Sequence, residues 1–210
     1  MHIPDAMLPP LVWIGGYAVA GGISGAVLRR FDERQIPRVA VMSSVFFVAS
    51  SIPLPLPGAT PMHFLLNGLV GVVLGWQAFP AIFLALTLQF LLLGHGGLTS
   101  LGVNTLTMGG GAIAGHYAFR LRRLFGRPAG AGKGVDVAFA SLAGAAGVIV
   151  SGALYFAVLC SVSKDFRAYS GANLIAHLPL LVVEPVVTAS AVAFLCKVKP
   201  ELVDGYPVRS

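Results

Sequence analysis

Charge is what this sequence has least of. Only 10% of its 210 residues are Asp, Glu, Lys or Arg, and 56% are apolar, with a mean hydropathy of +0.84. A chain this short cannot bury so much apolar surface in a core of its own, so a soluble globule is excluded and lipid must cover part of it. Cysteine is nearly absent too. Cys160 and Cys196 fall at opposite ends of the expected bundle, too far apart for a bridge that tolerates about 7 Å between Cα atoms. A basic leader is missing: Asp5 stands where a secretory signal would be positive, so a retained N-terminus is expected. The Gly-rich stretch 126–134, GRPAGAGKG, lacks the phosphate-loop pattern. Arg127 replaces the first glycine and Gly134 the Ser or Thr, so ATP binding by this chain is not expected. With no stacking motif or solvated basic face, no nucleic-acid partner is expected either.

The apolar residues fall in seven segments, roughly Leu11–Leu28, Val39–Leu54, Phe64–Trp76, Ala78–Leu93, Leu101–Phe119, Val135–Cys160 and Ala172–Val198. They predict an all-α membrane protein, a bundle of seven transmembrane helices in one integral membrane domain, 1–210. The third and fourth are short and read as a tight hairpin at Trp76-Gln77. One long broken helix, giving six spans, is the competing reading. Of the fourteen Lys and Arg, Arg29, Arg30, Arg34, Arg38, Arg120, Arg122, Arg123, Arg127, Lys133, Lys197, Lys199 and Arg209 fall on one side of a seven-span chain. Only Lys164 and Arg167 fall on the other. The positive-inside rule then puts the N-terminus outside and the C-terminus in the cytoplasm, with a cytoplasmic loop 120–134 and tail 197–210. Excess positive charge at anionic headgroups also accounts for the net +6. Small-residue faces, Gly21 with Gly25, Gly111 with Gly115 and the Gly144–Gly147 region, suit close helix packing, internal or against a partner helix.

Four of the five histidines collect at the expected outer end: His2, His63, His95 and His177. His116 lies near the other. Met1 and His2 form an unusual pair at the head of the segment 1–10. The amine and the next amide nitrogen close a five-membered ring on a metal, and that amide and the His2 imidazole close a six-membered one. His63 could supply a fourth nitrogen. Planar nitrogen sites favour Ni(II) or Cu(II) over Zn(II). The competing reading is a terminus whose His2 does nothing. His63 and Asn67 are four apart, which on a helix gives a ligand and the group that orients it, or simply an interfacial histidine. His95, between glycines, reads as loop geometry or a ligand. Asn104 is an intramembrane polar group. Glu184, mid-span beside Pro185, must be paired, protonated or facing a polar interior: ion handling or a hinge on one reading, a bond to its own kinked backbone on the other.

The start Met1-His2-Ile3-Pro4-Asp5, the stretch 63–71, the block 94–105 (GHGGLTSLGVNT), Ala176-His177-Leu178-Pro179 with Glu184, and Lys197-Val198-Lys199-Pro200 together resemble the CbiM/NikM family. These are the substrate-capture membrane subunits of energy-coupling-factor cobalt and nickel transporters. The resemblance implies a seven-helix fold with the N-terminus tucked in from outside. It implies Ni(II) or Co(II) as substrate, held by the Met1 amine, the amide and imidazole of His2, and His63, in the bacterial cytoplasmic membrane. It further implies a membrane coupling (T) subunit, ATPase (A) subunits and a small accessory membrane subunit as partners. Ala6-Met7 and Pro185 depart from the usual family residues. Two other functions remain in view. Capture of an organic micronutrient such as a vitamin would need an aromatic cavity, with Trp13, Tyr17 and Phe64 as candidates. An intramembrane serine protease would use Ser24 of Gly22-Ile23-Ser24-Gly25 with His116 as base.

Overall fold

The computed structural model describes residues 2–54, 62–125 and 133–203. Met1, most of the Pro-rich stretch, most of the glycine-rich linker and the end of the tail lie outside them. Eight α-helices follow in chain order: α1 (Pro10–Leu28), α2 (Ile36–Ser51), α3 (Asn67–Leu74), α4 (Ala78–Leu93), α5 (Leu101–Arg120), α6 (Lys133–Val162), α7 (Phe166–Ala176) and α8 (Leu180–Val198). A two-residue antiparallel ladder joins β1 (Pro53–Leu54) to β2 (Met62–His63), with Pro53 opposite His63. The all-helical, multi-pass membrane character agrees with the composition. Four described stretches are long and apolar enough to cross a membrane: Pro10–Leu28, Asn67–Leu93, Gly134–Val162 and Leu180–Val198.

α3 and α5 form the middle of the bundle. Every residue of α3 is buried, and α5 packs against α1, α3, α4 and α6. Glycine makes this possible, since lipid offers no hydrophobic drive for helix association and close backbone contact must replace it. A Cβ on Gly71 would overlap the Ala112 carbonyl, one on Gly115 would come within 2.8 Å of Gly68, and one on Gly111 would strike Ser151 and Gly147 of α6. The Gly111/Gly115 and Gly144–Gly147 faces are therefore internal. Gly21 and Gly25 are not: a Cβ on either meets nothing within 4 Å. α1 docks on α5 through Gly16 and Gly102 instead.

The hairpin reading of the third and fourth segments fits the contacts along α5. Gly71 meets Ala112 and Gly75 meets His116, whereas Phe79 lies back at Gly109 and Gly96 at Asn104. The chain thus reverses at Gly75 (φ +56°), a left-handed conformation that costs glycine little. The segment expected as one helix over 172–198 is instead two, α7 and α8, so His177 ends one helix and does not begin the next span. Pro179 explains the break, because it lacks an N–H and disfavours helical geometry at Leu178. The backbone tightens through i→i−3 bonds from Leu180 to His177 and from Leu181 to Leu178. At the far end of the bundle Arg122 pairs with Asp136 at 3.0 Å, tying the end of α5 to the start of α6.

Candidate metal-capture site

The site begins with the way the N-terminal segment enters the bundle. Ile3 is fully buried, and an apolar side chain at position three supplies the drive to bury the segment. Its two backbone polar groups then need partners, which Asn104 of α5 supplies. Ile3 N–H donates to Asn104 Oδ1 at 2.9 Å, and Asn104 Nδ2 donates to Ile3 O at 3.0 Å. The Ser100 hydroxyl donates to the same carbonyl. One amide side chain thus satisfies both the N–H and the C=O of one residue, as a strand partner would.

Asp5 makes a second anchor. Its carboxylate accepts the N–H groups of Leu98 and Thr99 at 3.0 and 2.7 Å and the Thr99 hydroxyl at 2.6 Å. The Thr99 hydroxyl holds the Asp5 carboxyl below its usual range. Gly97 is required here: a Cβ on it would lie 2.3 Å from Asp5 Oδ1 and 2.6 Å from Asp5 N. Gly96 (φ +79°) runs close to His2, where a Cβ would sit 3.8 Å from its Nδ1. Gly96 and Gly97 are therefore the bed on which the N-terminal segment lies.

His2 is half-buried and lines a cavity of about 540 Å³ with Pro4, His63, His95, Asn173 and His177 among its walls. The four histidines expected at one end do meet in one place. The His63 and His95 rings lie 5.4 Å apart, and the Nδ1 of each is buried without a hydrogen-bond partner. α7 forms one wall through Tyr169, Ala172 and Asn173. Burial, and then neighbouring charges, holds His2 well below the usual imidazole range, and burial does the same to His63. These rings are thus neutral at pH 7, the form that donates a lone pair to a metal. Among the described residues no three His, Cys, Asp or Glu side chains alone are grouped to hold an ion. A site here must draw on backbone nitrogen as well, and Met1, the source of the amine, lies outside the described residues.

His177 donates Nδ1–H to the Asn173 carbonyl at 2.7 Å, which leaves Nε2 as the lone-pair nitrogen of the neutral ring. Burial lowers its pKa from 6.5 to about 4. The folded chain therefore refuses a proton that the unfolded chain accepts. Stability is full above pH 6.5 and falls as the pH drops toward 4, by about 3 kcal/mol for this group. Thermal unfolding of the metal-free protein at pH 7 and at pH 4 is expected to show that loss, and His177→Gln to flatten the dependence.

The remaining expectations separate. His63 lies in β2, outside the helix, and α3 starts at Asn67, so the two do not share a helix face. Asn67 turns to α6 and donates from Nδ2 to Ser151 Oγ at 2.7 Å. Glu184 does not turn to its own kinked helix: its carboxyl oxygens accept the Leu65 and Leu66 N–H groups. His116 is buried against Gly75. The Ser24 hydroxyl is buried without a hydrogen-bond partner, so the serine–histidine dyad is not formed. Among the described residues, Trp13, Tyr17 and Phe64 are absent from the walls of the histidine cavity, where the one aromatic besides histidine is Tyr169. Asp5 and Ser100 escaped the sequence reading. Their signal was available, since a short acceptor side chain in an N-terminal segment and a Gly-Gly-x-Thr-Ser run together suit capping of a helix start.

Residues 2–202 match the family model described as the cobalt uptake substrate-specific transmembrane region, CbiM. The chain belongs to the CbiM family. Like other CbiM-family proteins it is a membrane protein of cobalt and nickel transport. A cobalt transport protein CbiM of Sorangium cellulosum is 34% identical over 99% of this chain and 96% of its own length. A fused nickel transport protein NikMN of Rhodobacter capsulatus is 34% identical over 96% of this chain, which spans 63% of that longer protein. The crystal structure of a transition metal transporter superposes with a TM-score of 0.75 at 26% identity, covering 94% of this chain and 93% of the other. This CbiM-family chain therefore shares both sequence and fold with metal transporters over nearly its whole length.

Proposed function

We propose that this chain is the substrate-capture subunit of an ATP-driven importer of Ni(II) or Co(II). In this reading the ion is held by the Met1 amine, the amide and imidazole nitrogens of His2, and an imidazole nitrogen of His63. The observation that carries it is the Asn104 clamp on Ile3, which seats His2 in the cavity that His63 also lines. A terminus with no role needs no such seat. The relatives' names supply the two candidate ions, and the nitrogen-rich site favours nickel slightly.

The chain lies in the bacterial cytoplasmic membrane with its N-terminus outside and its C-terminus in the cytoplasm. α1 to α6 and α8 make the seven crossings, and α7 covers the outer cavity. The lack of a phosphate loop supports ATP hydrolysis by separate subunits, reached through a membrane coupling subunit, with a small accessory membrane subunit completing the complex.

The test is the nickel and cobalt bound per chain by purified protein with its native terminus, beside His63→Ala. One tightly bound ion in the wild type, weakened in the variant, is the expected result. A wild type that takes up neither metal would end this reading and return an organic substrate to consideration.

A further inference from the structure

Glu184 is fully buried in α8, and the capture site as drawn gives it no part. Its carboxylate takes Leu65 N–H at 2.6 Å through Oε1, and Leu66 N–H at 3.1 and 3.0 Å through its two oxygens. Those donors lie two and three residues after His63. They stand in a gap where the fold offers them nothing else: β2 ends at His63, α3 begins at Asn67, and the α3 N-cap makes no side-chain bond of its own. Both leucines are buried, and an unpaired backbone N–H away from water is strongly unfavourable. Leu66 also stands at φ +48°, a left-handed conformation that a bulky residue keeps only where its surroundings impose it.

The grip is rigid. A Cβ on Gly144 of α6 would lie 2.8 Å from the Glu184 carbonyl oxygen, and one on Gly68 of α3 would lie 2.6 Å from Gly144 itself. The first turn of α3, the middle of α6 and the Glu184-Pro185 step of α8 thus meet at backbone contact. On its other side the His63 segment is held by the ladder to Pro53. The position of His63 in the cavity therefore depends on a carboxyl group that does not itself line the cavity.

We propose that Glu184 is the positioning residue for His63, gripping the turn behind it from α8. This rests on His63 being a ligand, as read above. A carboxyl group suits this place because Oε1 accepts from both N–H groups and Oε2 accepts a second time from Leu66. The amide of Gln would offer one oxygen and turn an N–H₂ group on a donor.

The test is a double-mutant cycle on Ni(II) affinity with wild type, His63→Ala, Glu184→Gln and the double variant, melting temperatures being followed in parallel. Glu184→Gln is expected to weaken binding about 10- to 100-fold, as loss of a group that orients a ligand does. The double variant should bind no worse than His63→Ala alone. The absorption band of the bound nickel in Glu184→Gln should move toward its position in His63→Ala, since both lose the same nitrogen. Losses that multiply in the double variant, or a Glu184→Gln protein with wild-type band and affinity, would overturn the proposal while leaving the capture site intact. Equal binding by wild type and His63→Ala would remove the ligand reading and this inference with it. Glu184→Asp, which keeps the carboxyl group and shortens its reach, serves in place of Glu184→Gln should that variant not fold, with an intermediate loss expected.

Discussion

Two glutamines inserted between Met1 and His2 are expected to abolish tight metal binding while the protein still folds. The fold does not need Met1, because the anchors are Ile3 and Asp5, bound to Asn104, Ser100, Leu98 and Thr99. His2 therefore stays in its cavity, and the insertion moves only the amine. In the native chain the amine, one amide and one imidazole close adjoining rings of five and six members. With two extra residues the amine joins no small ring with His2, and the chelate is lost. Displacing a direct ligand should cost more than the roughly 10- to 100-fold typical of a group behind one. A single inserted residue would be a poorer experiment. It would give a terminus with an amine, two amides and an imidazole, four nitrogens needing no His63. Glutamine is chosen over alanine because a small second residue exposes the initiating methionine to removal. Nickel bound per chain, with the melting temperature as a check on folding, decides the matter. Undiminished binding would place the metal elsewhere, with His95 and His177 the next candidates.

Much of this was legible in the sequence because a membrane makes composition speak plainly. Six of the helices, α1 to α6, have bounds within about three residues of the apolar runs, and the clustering of His2, His63, His95 and His177 followed from counting crossings. The failures share a cause. The 172–198 run stays apolar through Pro179, so hydropathy gives no break where backbone chemistry makes one. His63 and Asn67 suggest a helix face by spacing alone, but the turn between them is set by Glu184, 118 residues away from Leu66. Gly21 and Gly25 have the same spacing as Gly111 and Gly115, yet only the second pair meets another helix. Local patterns predicted elements, and they could not show which partner each polar or small residue would find across the bundle.

Asn104 is where that long-range pairing bears hardest on function. Asn104→Ala removes both bonds to the Ile3 backbone, leaving its buried N–H without a partner and its carbonyl with Ser100 alone. An orphaned buried group costs about 1–3 kcal/mol, so docking of the N-terminal segment should weaken by at least that amount. Every 1.4 kcal/mol is tenfold, and metal affinity is expected to fall about 10- to 100-fold, because the ion binds only the docked segment. Asn104→Asp separates the two bonds. It keeps an acceptor for the Ile3 N–H but sets a carboxylate oxygen against the Ile3 carbonyl, where Nδ2 had donated. It should be no better than alanine, although it is nearly the same shape. If shape alone mattered, Asp would rescue. Metal affinity of the two variants, compared with protection of the N-terminal segment from added aminopeptidase, tells the difference. The docked terminus resists, and both variants should be trimmed where the wild type is not. A trimmed variant that still bound nickel tightly would mean that the Asn104 clamp orders the segment for some purpose other than holding the metal.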